Sequence, residues 1–191
     1  MLLGKTGAGK TTMLDALSNY LLGVNMFDNF RYRVVTPGNG NQAESQTRDT
    51  VLYHIPSSLI KNRIFKDVCC ITFVDSPGYG DTGGLEEDQR TKMMLHHLLT
   101  TLTKIDYVFL VAKSDEQRID AFTKNVYDEI TQLYAKDVIP RIIATITHSQ
   151  GPRANVLTAF KDPSINIKID DRYFLFNNNA IFQDRNKLTD K

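Results

Sequence analysis

Apolar residues along this chain alternate between short unbroken runs and stretches with a period near 3.6. Met13, Leu14, Leu17 and Leu21 fall on one face of a helix predicted over residues 11–22, which Gly23 stops. Leu2-Leu3 ahead of it reads as the end of a strand. The run Val68-Cys69-Cys70-Ile71-Thr72-Phe73-Val74 reads as a buried strand ending on Asp75, with further strands over 51–55, 105–112, 141–147 and 173–176. Helices are expected over 88–102 and 121–134, and a short one around 156–160. Residues 36–49 hold Pro37, Gly38, Gly40 and several Asn, Gln and Ser, the composition of a loop. Strand and helix in alternation predict an α/β fold in three layers, with a mainly parallel central sheet flanked by helices.

No repeat, linker or low-complexity segment divides the 191 residues, so residues 1–191 are expected to form a single domain. Two features point to a chain incomplete at both ends. Only three residues precede the first glycine loop, where a strand needs about five, and the stretch after Asn179 is short for a closing helix.

Composition narrows the partners. A net charge of +1 and charges without long single-sign blocks give no footprint for nucleic acid. No apolar run has the length of a transmembrane segment, and Met1-Leu2-Leu3 leads straight into a glycine loop, leaving no room for a signal peptide. A cytoplasmic protein is expected, with peripheral membrane association left open. Cys69 and Cys70 should point to opposite faces of their strand, which argues against a disulfide or a metal site.

The chemistry begins at Gly4-Lys5-Thr6-Gly7-Ala8-Gly9-Lys10-Thr11, a strand turning through glycines into a helix, which fits the Walker A pattern. Glycines let backbone N–H groups curl around a phosphate, and the helix N-terminus adds its positive dipole end. Lys10 would reach the β- and γ-oxygens, and the Thr11 hydroxyl, followed by Thr12, would hold Mg²⁺. A second element is the strand that delivers Asp75, followed by Ser76-Pro77-Gly78. A carboxylate there can fix Mg²⁺ through water, and Gly78 leaves its N–H free to approach a γ-phosphate. Between the two lies Ser45-Gln46-Thr47-Arg48-Asp49-Thr50. A nucleotide switch needs a threonine here to close on Mg²⁺ and γ-phosphate, with Thr47 the first choice and Thr50 the alternative.

In this order, the motifs resemble the septin-like branch of Ras-like P-loop GTPases, notably the GIMAP-type immunity-associated GTPases and the chloroplast import-receptor GTPases. The likeness runs over nearly the whole chain. Asp75-Ser76-Pro77-Gly78-Tyr79-Gly80-Asp81 is similar to that group's switch segment, and Phe176-Asn177-Asn178-Asn179-Ala180 to the GIMAP-type base-contact loop. The resemblance implies a G domain that binds GTP or GDP with Mg²⁺ and pairs with a second copy in a nucleotide-dependent homodimer.

Guanine recognition departs from the common pattern. Most GTPases place Asn-Lys-x-Asp after the fifth strand, because a carboxylate accepts from the guanine N1 and N2 donors. Here the segment is Thr147-His148-Ser149-Gln150 and has no carboxylate. Thr-His-x-Gln is similar to the import-receptor motif, which implies that His148 packs on the base while Gln150, Asn178 and Asn179 supply polar contacts. Guanine is expected, with weaker selectivity over adenine.

Ras-type hydrolysis uses a Gln after the switch glycine, and this chain has Tyr79. A phenol lacks the carboxamide's paired donor and acceptor, so turnover should be slow. The machinery expected from the chain itself is then Lys10, Thr47 and Gly78, and a dimer partner could add Arg48 or Arg153 over the γ-phosphate, if these are not plain surface residues. Two other classes share the Walker A loop: an ATP-using kinase or ATPase, and a nucleotide-binding scaffold with little hydrolysis. His96 and His97, about 100° apart on a helix, are not expected to share a metal, and Glu86, Glu87 and Asp88 read as an acidic helix start.

Overall fold

The computed structural model describes the chain except Met26, Lys66, Asp170 and residues 35–48, 79–83, 134–135, 152–153, 164–166 and 178–191. Six strands form one sheet: β1 (Leu2–Gly4), β2 (Val51–Pro56), β3 (Cys70–Asp75), β4 (Val108–Lys113), β5 (Ile142–Thr147) and β6 (Tyr173–Leu175). Their spatial order is β2-β3-β1-β4-β5-β6. Among the described residues only β2 runs antiparallel, against β3, and the other pairings are parallel. Helices α1 (Lys10–Leu21), α2 (Gly84–Thr101), α3 (Ala121–Leu133) and α4 (Asn155–Phe160) make the crossovers and flank the sheet.

Period-two alternation in the short strands sorts side chains onto two faces. Leu2, Phe73 and Val111 join Met13, Leu14 and Leu21 of α1 in one apolar cluster. Their chain neighbours Leu3, Val74, Leu110 and Ala112 point the other way, against Leu95 and Leu99 of α2, Val126 and Ile130 of α3, and Phe160 of α4. Each fully buried Leu or Ile of these layers contributes about 1.5–3 kcal/mol. The sheet between two helical layers matches the predicted fold class.

Element boundaries differ where local hydrogen bonds intervene. The third strand starts at Cys70 instead of Val68, because the Val68 N–H closes a turn onto the Phe65 carbonyl at 3.0 Å. Its first half is exposed apart from the partly buried Ile71, and full burial begins at Phe73; both cysteines are free and at the surface. Strand β4 starts at Val108, where pairing with β5 begins, although Ile105 is buried. Helix α2 starts four residues earlier than predicted, at Gly84, which places Glu86 and Glu87 in its first turn.

Strand β1 is the topological switch point of the sheet. The chain pairs β3 on one side of it and β4 on the other, which opens a crevice at the carboxyl ends of these strands. The glycine loop leaves β1 at that crevice.

Candidate nucleotide site

Gly4 ends β1 under tight packing: a Cβ there would overlap the Val111 carbonyl oxygen and come within 3.1 Å of its carbon. Gly7 and Gly9 then take φ values of 71° and 90°, in the left-handed region where glycine carries no Cβ penalty. Gly9 is the N-cap of α1 and supplies no side-chain cap. The first-turn N–H groups of a 12-residue helix therefore face the crevice without a capping side chain, an arrangement suited to an anion.

Lys10 is folded into this loop and almost wholly buried. Its Nζ donates to the Gly4 carbonyl at 2.9 Å and the Lys5 carbonyl at 3.1 Å, which occupies two of three ammonium donors. Burial pushes its pKa from 10.5 down to about 8, with the Asp75 carboxylate pulling the other way. Lys5 turns aside, 3.0 Å from Asp120 and 3.6 Å from Glu116. Partial burial works against its charged form, but these carboxylates outweigh it and raise its pKa. Its carbonyl, not its ammonium, belongs to the cradle.

Across the crevice, β3 brings Asp75 to the loop. Thr11 Oγ1 donates to Asp75 Oδ2 at 3.3 Å over a separation of 64 residues, and Asp75 is fully buried. A hydroxyl and a carboxylate side by side are hard oxygen ligands that fit Mg²⁺, which keeps several waters and needs few protein groups. Among the described residues no cluster of three His, Cys, Asp or Glu offers a different metal site. Ser76 is spent on structure, its Oγ donating to the Leu2 carbonyl at 2.7 Å, and Pro77 beside it is buried. Gly78 lies directly on the loop: a Cβ there would stand 2.6 Å from the Thr6 nitrogen and 2.5 Å from its Cα. Thr6 Oγ1 is buried at this contact without a hydrogen-bond partner, a polar atom left over inside the cradle.

Thr47 lies outside the described residues, as do Arg48, Tyr79, Arg153, Asn178 and Asn179. Thr50 is described. The antiparallel register sets Val51 opposite Asp75, so Thr50 stands at the same end of the sheet, with its Oγ1 buried and lacking a hydrogen-bond partner.

On the far side, β5 delivers the segment expected to meet a base. Thr147 is fully buried and points inward, donating to the Ala8 carbonyl at 2.6 Å, so it braces the phosphate loop. With that proton committed, Thr147 Oγ1 accepts from His148 Nδ1 at 3.1 Å. His148 has φ 55°, the only positive value among described non-glycine residues. Ser114 Oγ clamps its carbonyl at 3.0 Å, and its Cε1 stands 3.7 Å from the position of a Gly9 Cβ. Strain of this kind persists where surrounding contacts over-determine a residue, often at a functional site. Gln150 is exposed beside it, and Thr12 is exposed on the outer face of α1.

The sequence alone did not single out Ser114, which holds His148, or Lys113, whose Nζ stands 3.7 Å from the position of a Gly7 Cβ. Lys113 ends β4 and Ser114 follows it, and the only signal was that a strand next to β1 must end at the crevice.

Sheet order, switch-point crevice and glycine loop together define an α/β P-loop NTPase fold with the layout of a G domain. Solved structures share it. The structure of Toc33 from Arabidopsis thaliana with Mg²⁺ and GMPPNP matches with a TM-score of 0.53 and 18% identity, over 93% of this chain and 69% of that one. Its complex with GDP and Mg²⁺ matches with a TM-score of 0.55 at the same identity and coverage. The signal recognition particle receptor SRb-GTP/SRX complex from Chaetomium thermophilum matches with a TM-score of 0.50 and 12% identity, over 92% of this chain and 87% of that one. No protein-family model and no curated protein matches this chain.

Proposed function

We propose that this chain is a G domain that binds GTP and GDP with Mg²⁺, hydrolyses GTP slowly and works as a conformational switch in the cytoplasm. The observation that carries this reading is the Thr11–Asp75 pair beside Gly78, packed onto the phosphate loop at the switch point of the sheet. Mg²⁺ bound there would neutralise charge between the β- and γ-phosphates. The protein's own part is to hold phosphate on the N–H groups of Gly7 to Thr11 and to present the Lys10 ammonium. Gly78 and a threonine of the preceding loop would report the γ-phosphate. The sequence favours Thr47, and the register beside Asp75 favours Thr50.

Base recognition falls to His148 and Gln150, with Asn178 and Asn179. The ring braced on Gly9 offers a surface for the base, and the Gln150 amide oxygen is an acceptor suited to the guanine N1 and N2 donors. Neutral acceptors discriminate less sharply than a carboxylate, so ATP should bind measurably.

Tyr79 in place of a water-orienting Gln is the reason for slow turnover, and a second copy of the chain is the proposed source of the missing group, through Arg48 or Arg153. One matching structure is described with the statement that dimerization is important for the GTPase activity of chloroplast translocon components atToc33 and psToc159. The test is single-turnover GTP hydrolysis across a range of protein concentrations. A slow specific rate that climbs with concentration supports switch and dimer together. A slow rate independent of concentration removes the dimer, and tight GTP binding without hydrolysis favours the scaffold reading that Tyr79 also suggests.

A further inference from the structure

The crevice has an order across it that assigns a role to Lys113. Along the carboxyl edge of the sheet, β3 presents Asp75 and Gly78, β1 the glycine loop, β4 Lys113, and β5 Thr147 and His148. On the proposed reading, metal and γ-phosphate belong at the β3 end and the base at the β5 end. The part of the nucleotide that crosses β4 is the stretch from β-phosphate to ribose.

Lys113 stands at that crossing. It is the last residue of β4, in register with Thr147, and its Nζ lies 3.7 Å from the position of a Gly7 Cβ. Its backbone is fixed by a turn in which its N–H donates to Glu116 Oε1 at 3.1 Å and the Glu116 N–H returns to its carbonyl at 3.2 Å. Of the three carboxylates of this loop, Glu116 and Asp120 pair with Lys5, and Asp115 is exposed. None of the ion pairs among the described residues takes the Lys113 ammonium. A half-buried cation aimed at a glycine loop, while Glu116 and Asp120 are engaged with Lys5, has the chemistry of an anion ligand's partner. The base segment also lacks the lysine of Asn-Lys-x-Asp, and Lys113 supplies a cation one strand away.

We infer that Lys113 is a second phosphate-binding cation, which contacts the nucleotide on the side shared by di- and triphosphate, at the α- or β-phosphate. This rests on the switch reading and extends it, because Lys10 reaches the β- and γ-oxygens and Gly78 the γ-phosphate, which leaves the side toward the ribose without a cation. Removing Lys113 should therefore weaken GDP and GTP by the same factor.

The experiment compares wild type, Lys113→Met, which keeps the aliphatic stem, and Lys113→Arg, which keeps the charge. Binding of fluorescent GDP and of a non-hydrolysable fluorescent GTP analogue is measured at low and high salt, with folding checked by circular dichroism. The expected result is an equal loss of about tenfold for both nucleotides in Lys113→Met, a shallower salt dependence, and recovery in Lys113→Arg. Unchanged affinity in a folded Lys113→Met protein, or a loss confined to the triphosphate, overturns this inference and leaves the switch reading standing. Wild-type protein that binds neither nucleotide overturns both.

Discussion

Lys10 carries an internal tension that can be measured. In the folded chain its proton is held less tightly than in the unfolded chain, since burial lowers its pKa from 10.5 to about 8. Between these values the unfolded state binds more protons, so stability rises with pH across that window. Below it both states are charged and the cost of burying the ammonium is fully present. A bound phosphate favours the charged form, so nucleotide affinity should fall as pH climbs above about 8, with protons taken up on binding. Calorimetry of GDP binding in two buffers of different ionisation enthalpy checks this; affinity that stays level to about pH 9.5 contradicts it. The residues of this loop were legible because glycine spacing is backbone chemistry. Thr147 was legible only as a member of the site, because its inward rotation onto Ala8 depends on packing between β5 and the loop, which no local pattern encodes. Lys113 escaped for the same reason, being 106 residues from Gly7 and adjacent only through the pairing of β1 with β4.

Gly78 is the contact through which β3 and its following segment would sense the phosphate loop. In Gly78→Ala the new methyl meets Thr6 backbone, which cannot rotate away as a side chain could. The expected cost is about 1–3 kcal/mol, read as a lower urea midpoint, together with loss of the difference between GDP and GTP analogue in tryptic protection. Normal stability and an intact nucleotide response would show that this packing is incidental. The segment ahead of residues 35–48 is held differently. Asn19, buried on α1, donates to the Tyr32 carbonyl at 2.7 Å and accepts from the Tyr32 N–H at 2.8 Å, while Asp15 accepts from the Val34 N–H at 2.7 Å. Asn19→Ala should cost about 1–2 kcal/mol and speed amide exchange at Tyr32 first; unaltered exchange there would remove the anchor. Apolar periodicity located α1, α3 and β5 well, but it started β4 at Ile105, three residues before Val108. It misplaced the start of α2, where Gly84 precedes the first core-facing residues, and it extended β3 into exposed residues that a turn closes off.

For the molecule as a whole, alternation of strand and helix gave the three layers, but not the order β2-β3-β1-β4-β5-β6 or the antiparallel edge strand. Both are long-range choices, and they decide which residues share the crevice. Since the site joins β1, β3, β4 and β5, a ligand bound there ties four strands together and should raise the melting temperature. At a GDP concentration about a hundredfold above Kd the gain is about 2.7 kcal/mol, or roughly 5–10 °C for a chain of this size. ADP at the same concentration should give a smaller shift. The central claim is guanine-nucleotide binding in a Lys10-dependent, Mg²⁺-assisted cradle. Its most direct test is titration of nucleotide-free protein with fluorescent GDP, GTP and ATP analogues, with and without Mg²⁺, on wild type and Lys10→Ala. The account predicts preference for guanine, Mg²⁺ dependence for the triphosphate, and loss of both in Lys10→Ala. ATP binding as tight as GTP binding would contradict the role of His148 and Gln150, and binding that survives Lys10→Ala would contradict the cradle itself.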